Sequence, residues 1–183
     1  MVININRVIG AFLFLMVLMP GGDLQCADLS DGEKRKIVDQ LYNTYRLDLP
    51  QVKDIQPAEV IHLFNQHKVV LIDVRTSAEI KISTLPGAVT MEDYLKGEDT
   101  YRGLIAVAYC TIGYRSGKFA EKMRAKGVEV KNLAGGMLGW VFDGGRVYNE
   151  NNEVKRIHVY GPKWDYPPFG YESVYFSLFE RIF

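Results

Sequence analysis

Two apolar runs, residues 69–75 and 104–109, constrain the fold of this 183-residue chain more than any other feature. Neither run alternates regularly with polar residues, which is typical of strands covered on both faces in a parallel sheet. Shorter predicted strands lie near Val89 and over residues 128–133, and helical segments separate the strands. This alternation predicts an α/β domain with a central, mostly parallel sheet flanked by helices.

Two helices are predicted ahead of the sheet. Ser30 and Glu33 form a capping-box pattern, and a helix of about 16 residues follows, with an apolar stripe made of Ile37, Leu41 and Tyr45. A shorter helix begins at Pro57, a residue type that the first helical position tolerates, and its expected inward-facing side chains are Val60, Ile61 and Phe64. The first helix is expected to act as a packing arm and the second as scaffold.

The first 27 residues have the pattern of a secretory signal peptide. Arg7 is followed by an apolar run over residues 8–19, and a candidate cleavage site lies after Ala27. A helix over that run would rise about 18 Å, less than the ~30 Å hydrocarbon core, so a transmembrane helix is the weaker interpretation. We expect an exported, periplasmic protein, with a membrane anchor formed by an uncleaved signal and a buried helix as the alternatives.

Cleavage after Ala27 would leave the mature protein with one thiol. Cys26 would be removed, and Cys110 would have no partner for an intramolecular disulfide. An unpaired thiol in an oxidising compartment is a liability unless it is buried or used. Cys110 is therefore either a core cysteine or a functional one.

Cys110 lies where the second apolar run ends, and a short loop and a predicted helix over residues 115–126 follow it. At such a junction the loop N–H groups and the positive end of the helix converge on the sulfur, which favours a thiolate or a persulfide anion. Gly113 permits a tight turn. Arg115 is expected to bind an anionic substrate or to brace loop carbonyls, and Ser116 to cap the helix or donate to the sulfur.

Four blocks of sequence resemble the rhodanese-like domain family in order and spacing. They are residues 71–75, 85–88, 110–116 and 133–136, followed by Trp140. The resemblance implies a three-layer fold with a central, mostly parallel sheet and sulfur transfer through a cysteine persulfide. By the same resemblance Cys110 is the nucleophile and Asp73 and Arg75 are supporting residues near the site. The substrate-binding loop it implies consists of Thr111, Ile112, Gly113, Tyr114, Arg115 and Ser116.

Two departures from the family pattern concern the substrate. Ser83 and Thr84 stand where the family often has a glycine–histidine pair, and no basic residue directly follows Cys110, so thiosulfate is only one candidate donor.

Arg115 lies five positions after Cys110, one position earlier than the arginine of cysteine phosphatases built on the same fold. A sulfurtransferase is therefore favoured over a phosphatase, with a non-catalytic sulfur carrier or protein-binding module as the alternative.

The chain divides into a signal at residues 1–27, a helical arm at 28–50, the rhodanese-like domain at 51–150 and an extension at 151–183. Nine of the 22 aromatic residues fall between His158 and Phe183. A disordered tail would be poor in such residues, so we expect the extension to pack on the domain or, as the less favoured alternative, on a protein partner.

The expected ligands are a small-molecule sulfur donor and a thiol or cyanide-like acceptor. Basic and acidic residues both number 22, so no excess charge favours nucleic acid as a partner. The three histidines lack the spacing of metal ligands, so packing or solvated roles and no metal or other cofactor are expected for His62, His67 and His158.

Overall fold

The computed structural model describes residues 29–176. The predicted signal peptide and the last seven residues of the extension lie outside the described residues. Within residues 29–176, no helix combines the length and the apolar character that a membrane-crossing helix requires.

A five-stranded parallel sheet forms the centre of the structure. Its strands, in chain order, are β1 (Asp54–Ile55), β2 (Val69–Asp73), β3 (Val89–Thr90), β4 (Ile105–Tyr109) and β5 (Lys131–Leu133). Across the sheet they stand in the order β1–β5–β4–β2–β3, and every neighbouring pair is parallel. The two apolar runs found in the sequence are the central pair, β2 and β4. The predicted α/β fold with a parallel sheet is confirmed.

Helices cover both faces of the sheet. They are α1 (Asp31–Arg46), α2 (Pro57–Asn65), α3 (Ser77–Ile80), α4 (Met91–Lys96), α5 (Tyr114–Ala125) and α6 (Gly136–Phe142). Alternate residues of β2 point to opposite faces: Leu71 packs with α1, α2 and α6, whereas Ile72 packs with α4 and α5. Each apolar side chain of β2 and β4 therefore enters one of two cores, which explains why neither strand shows a polar face.

The predicted first helix is confirmed in its bounds and in its cap. Ser30 Oγ accepts a hydrogen bond from the N–H of Glu33, whose carboxylate in turn accepts from the N–H of Ser30. The predicted apolar stripe is displaced, however. The buried residues of α1 are Val38 and Tyr42, while the stripe of Ile37, Leu41 and Tyr45 is half-buried beside them. Val38 and Tyr42 have the same four-residue spacing as the predicted stripe but lie one position further along the helix, and it is this row that packs most deeply.

The described part of the C-terminal extension packs on the domain. A hairpin of β6 (Val147–Asn149) and β7 (Asn152–Val154) leads into it, and the parallel pair β8 (Arg156–His158) and β9 (Glu172–Val174) follows. Ile157 and Val159 are fully buried in the core on the α1 side of the sheet. Trp164 Nε1 donates a 2.9 Å hydrogen bond to the hydroxyl of Tyr45 on α1. The described part of the extension thus packs on the domain, which was the favoured expectation, and it also contacts the N-terminal arm.

The turn between β5 and α6 packs directly on the cysteine loop. Gly136 has a φ of +57°, and a Cβ there would lie 2.4 Å from the carbonyl oxygen of Cys110 and 2.8 Å from the amide nitrogens of Ile112 and Gly113. These contacts are with backbone atoms, which cannot rotate away. Only glycine allows this approach between the two loops.

Gly136→Ala is expected to lower the free energy of unfolding by about 2 to 5 kcal/mol, since it adds a steric clash to left-handed strain. Gly144→Ala is the matched control, because Gly144 has a φ of +84° and open space around its missing Cβ. Left-handed backbone strain alone is expected to lower the free energy of unfolding of Gly144→Ala by about 1 to 2 kcal/mol. Urea unfolding of both variants measures the difference, and equal losses would contradict the close approach.

Candidate functional site around Cys110

The thiol of Cys110 lies where β4 ends and α5 begins. The side chain is buried, and the N–H of Gly113 donates to its Sγ across 3.2 Å. Gly113 has a φ of +100° and directly precedes the first residue of α5, Tyr114. The sulfur therefore faces a backbone N–H and the N-terminal end of a twelve-residue helix, both of which stabilise negative charge.

Backbone hydrogen bonds fix the loop from behind. The carbonyl oxygen of Cys110 accepts from the N–H of Met137 at 2.8 Å, and that of Thr111 accepts from the N–H of Leu138 at 3.1 Å. The hydroxyl of Thr111 donates to the carbonyl of His158 at 3.2 Å. The loop is thus held by α6 on one side and by β8 of the C-terminal extension on another.

Arg115 pairs with a carboxylate rather than with the loop carbonyls that it was expected to brace. Its guanidinium donates to both carboxylate oxygens of Glu79, at 2.8 and 2.6 Å, and lies 5.3 Å from the ring centre of Tyr160. Glu79 is buried, and Nδ1 of His158 lies 3.1 Å from its Oε1. A rotation of Arg115 away from Glu79 would leave the buried carboxylate without its main cation, so the paired position is strongly favoured.

The charges around Glu79 determine its protonation. Burial by itself would raise the pKa of Glu79, but the hydrogen bonds from Arg115 and the approach of His158 hold the pKa far below the ordinary glutamate range. The same partnership and the nearby Cys110 raise the pKa of Arg115, against the opposing effect of its burial. Both groups are charged at neutral pH.

Ser116 is neither a helix cap nor a donor to the sulfur, so both predictions for it were wrong. The helix begins two residues before it, and Gly113 occupies the cap position. The buried hydroxyl of Ser116 instead donates to Asn132 Oδ1 at 2.7 Å, and Asn132 Nδ2 donates to the hydroxyl of Tyr42 at 3.1 Å. This chain of contacts joins α5, β5 and α1 behind the loop.

Asp73 and Arg75 form a buried ion pair that does not touch Cys110. Arg75 donates to both carboxylate oxygens of Asp73, at 2.9 and 2.7 Å, and to the carbonyl of Ser83 at 2.6 Å. Asp73 also accepts from the hydroxyl of Tyr109, the residue before the cysteine, at 2.5 Å. Burial and the Asp73 charge both raise the pKa of Tyr109, so the hydroxyl stays protonated and donates. The pair thereby fixes the end of β4.

A cavity of about 340 Å³ opens over the thiol. In the described part of the chain its lining consists of Tyr45, Cys110, Thr111, Ile112, Tyr114, Arg115, Tyr160 and Trp164. The lining therefore combines most of the predicted substrate loop with side chains from the arm and from the extension. The structure brings Cys110 together with the loop residues up to Arg115, and it leaves Ser116, Asp73 and Arg75 outside the cavity.

The histidines fall into two groups. His62 and His67 are exposed, whereas His158 is buried beside Glu79. Among residues 29–176, no three histidine, cysteine or acidic side chains converge as metal ligands would. Glu79 has one local signal, the capping box that it forms with Thr76, but no local signal points to its contacts with Arg115 and His158.

Comparison with known proteins agrees with this fold. Residues 56–143 match the family model described as the rhodanese-like domain. The chain therefore contains a domain of the rhodanese-like family. Comparison with curated proteins finds no match.

Solved structures that match this chain include a rhodanese-like domain protein, a rhodanese-related protein and a thiosulfate sulfurtransferase. A rhodanese-like domain protein from Staphylococcus aureus is 29% identical, with a TM-score of 0.42, over 49% of this chain and 91% of that one. A rhodanese-related protein from Thermoplasma volcanium is 19% identical, with a TM-score of 0.45, and the match covers 53% of this chain and 98% of that one. A thiosulfate sulfurtransferase from Pseudomonas aeruginosa is 16% identical, with a TM-score of 0.50, and the match covers 61% of this chain and 23% of that one. At that identity the last likeness shows the fold alone.

Glu79→Gln is expected to lower the free energy of unfolding at pH 7 by about 1.5 to 3 kcal/mol, because Arg115 loses a charged partner. The folded-state pKa of Glu79 is depressed, so its contribution is present above the unfolded-state pKa and is lost as pH falls below about 5. The stability gap between the two proteins should therefore narrow in acid. Urea unfolding at several pH values measures it, with Glu121→Gln as the control, because the Glu121 side chain is 42% exposed. A gap that widens on acidification would contradict the ion pair.

Proposed function

We propose that this protein is a sulfurtransferase that carries sulfane sulfur as a persulfide on Cys110. The observation that supports it most is the position of the Cys110 sulfur, 3.2 Å from the N–H of Gly113 at the start of α5 and at the base of a cavity. Such surroundings favour a thiolate, the form of cysteine that attacks sulfur. They would favour the terminal sulfur anion of a persulfide for the same reason.

The reaction has two displacement steps. The Cys110 thiolate attacks the outer sulfur of the donor, a new S–S bond forms, and the donor's own bond to that sulfur breaks. The electron pair leaves with the donor remainder, which is sulfite in the case of thiosulfate. A thiolate or cyanide then attacks the outer sulfur of the persulfide, and Cys110 leaves as a thiolate. No net oxidation occurs at Cys110, and no cofactor is required.

Phosphate-ester hydrolysis is the less favoured chemistry. Arg115 lies five residues after Cys110, too early for a phosphate-binding loop of the phosphatase type, and its guanidinium is bonded to Glu79. A phosphatase needs a cation that is free to bind the tetrahedral anion. Cys110-dependent hydrolysis of a phosphate ester would revive this alternative.

A sulfur carrier or binding module without turnover is the second candidate. One observation favours it: Arg115 is the one charged residue among the described residues that line the cavity, and it is already paired. A protein that turns over would release sulfur to cyanide or a small thiol repeatedly. A carrier would be loaded once and keep its sulfur until a partner protein arrives.

Incubation of the purified protein with thiosulfate, and separately with an organic persulfide, should add the mass of one sulfur atom with at least one donor. Cyanide should remove that mass and form thiocyanate. The cyanide step is needed because a sulfinic acid has nearly the same added mass but is not reversed by cyanide. Repeated thiocyanate formation supports the enzyme, and a single stoichiometric release supports the carrier.

Cys110→Ser should abolish both the added mass and thiocyanate formation. Ser116→Ala is the matched control on the helix that follows the loop, because Ser116 is buried behind the loop and does not line the cavity. Ser116→Ala should still gain the sulfur, although it is less stable. Failure of several donors to modify wild-type Cys110 would contradict the proposed function.

A further inference from the structure

Three of the four aromatic residues that line the cavity over Cys110 come from outside the matched domain. The family model covers residues 56–143, but Tyr45 belongs to the N-terminal arm, and Tyr160 and Trp164 belong to the C-terminal extension. Tyr114 of α5 supplies a fourth aromatic ring. The arm and the extension therefore shape the space in which Cys110 would meet its substrate.

Contacts between the rings hold this wall in place. The ring centres of Tyr45 and Tyr114 are 5.3 Å apart, and those of Tyr160 and Trp164 are 5.8 Å apart at an interplanar angle of 89°. The hydrogen bond from Trp164 Nε1 to the Tyr45 hydroxyl joins the two pairs. Such geometries are the ones that aromatic side chains prefer, so the cavity is formed before a ligand arrives.

The cavity offers little to a small inorganic anion. Arg115, its one charged lining residue within the described chain, is bonded to both oxygens of Glu79 and lies under the ring of Tyr160. Lys163 does not line the cavity: it is exposed, and its Nζ lies 5.8 Å from the ring of Tyr45 and 5.7 Å from that of Trp164. The remaining lining is aromatic or otherwise uncharged. The apolar ring of a donor would therefore gain more binding free energy in this cavity than a sulfonate group would.

We propose that the cavity selects sulfane-sulfur donors with an apolar, ring-bearing body, such as an aryl thiosulfonate or an aryl persulfide, over thiosulfate. This inference rests on the proposed function and names the substrate class for the same thiol. The size agrees, since a cavity of about 150 Å³ accommodates benzene and this one measures about 340 Å³. Tyr45, Tyr160 and Trp164 are its specificity-determining residues.

The chemical step is the same for an aryl donor. The Cys110 thiolate attacks the outer sulfur of benzenethiosulfonate, a bond forms between the two sulfurs, and the bond from outer sulfur to sulfonyl sulfur breaks. Its electron pair leaves with benzenesulfinate. The ring would lie against the aromatic wall while the outer sulfur faces Cys110 and the N–H of Gly113.

The test compares benzenethiosulfonate with methanethiosulfonate, which carries the same charge and sulfane group but no ring. The rate constant for loading Cys110, divided by donor concentration, is measured for each donor by quenched intact-mass analysis. In wild type the aryl donor should load at least about tenfold faster, and thiosulfate more slowly than either. Trp164→Ala and Tyr160→Ala should each lower the aryl-to-methyl ratio several-fold.

Using the ratio cancels the intrinsic reactivity of the two donors, which the variants do not change. Tyr160 is 46% exposed, so its replacement leaves the core unaltered even if Trp164→Ala loosens the extension. Tyr171→Ala is the matched control, because it removes an aromatic ring of the same extension that does not line the cavity. The ratio in Tyr171→Ala should remain that of wild type.

The outcomes separate the two claims. A ratio that is unchanged in both cavity variants, or that falls equally in Tyr171→Ala, overturns the substrate class but leaves sulfur transfer intact. The substrate class is also overturned, with sulfur transfer intact, if thiosulfate loads Cys110 faster than the aryl donor does. Loading by none of the three donors overturns the proposed function itself, and the substrate class with it.

Discussion

The arrangement around Cys110 depends on one buried carboxylate, that of Glu79. It accepts two hydrogen bonds from Arg115 at the start of α5, lies 3.1 Å from His158 of β8, and forms a capping box with Thr76 at the start of α3. A carboxylate at this depth is tolerated only with such partners. A single charge therefore connects three segments that are distant in sequence, and it holds Arg115 against the protein.

This commitment of Arg115 changes the character of the site. The anion-stabilising groups that remain near the sulfur are the Gly113 N–H and the start of α5, which act on Cys110 itself. Opposite the loop, the cavity is lined by aromatic side chains, three of which come from the arm and the extension. The geometry thus separates two tasks: the backbone stabilises charge on the cysteine sulfur, and the aromatic wall accommodates the body of the donor.

The fold was predictable because its signals are local. The two apolar runs identify the central strands, and the Ser30–Glu33 capping box and Pro57 locate two helix starts correctly. The position of Cys110 after a buried strand likewise placed the loop. Predictions about side-chain partners were weaker, as Ser116 and Arg115 show, because their partners Asn132 and Glu79 are defined only by the folded chain.

The cavity could not be predicted for the same reason. Tyr45 was assigned to an apolar stripe, and nothing local distinguishes a ring that enters the core from one that lines a cavity beside it. The aromatic richness of the extension correctly indicated packing, but not that Tyr160 and Trp164 would stand over Cys110. Export of the protein, which depends on residues 1–27, stays a prediction.

The most direct test of the central claim is a crystal structure of the protein after exposure to a sulfane-sulfur donor. We expect one additional sulfur atom bonded to Cys110 Sγ. This atom should point into the cavity bordered by Tyr45, Tyr160 and Trp164 and lie within hydrogen-bonding distance of loop N–H groups. An unmodified thiol, or a Cys110 that carries oxygen atoms in place of sulfur, would contradict it.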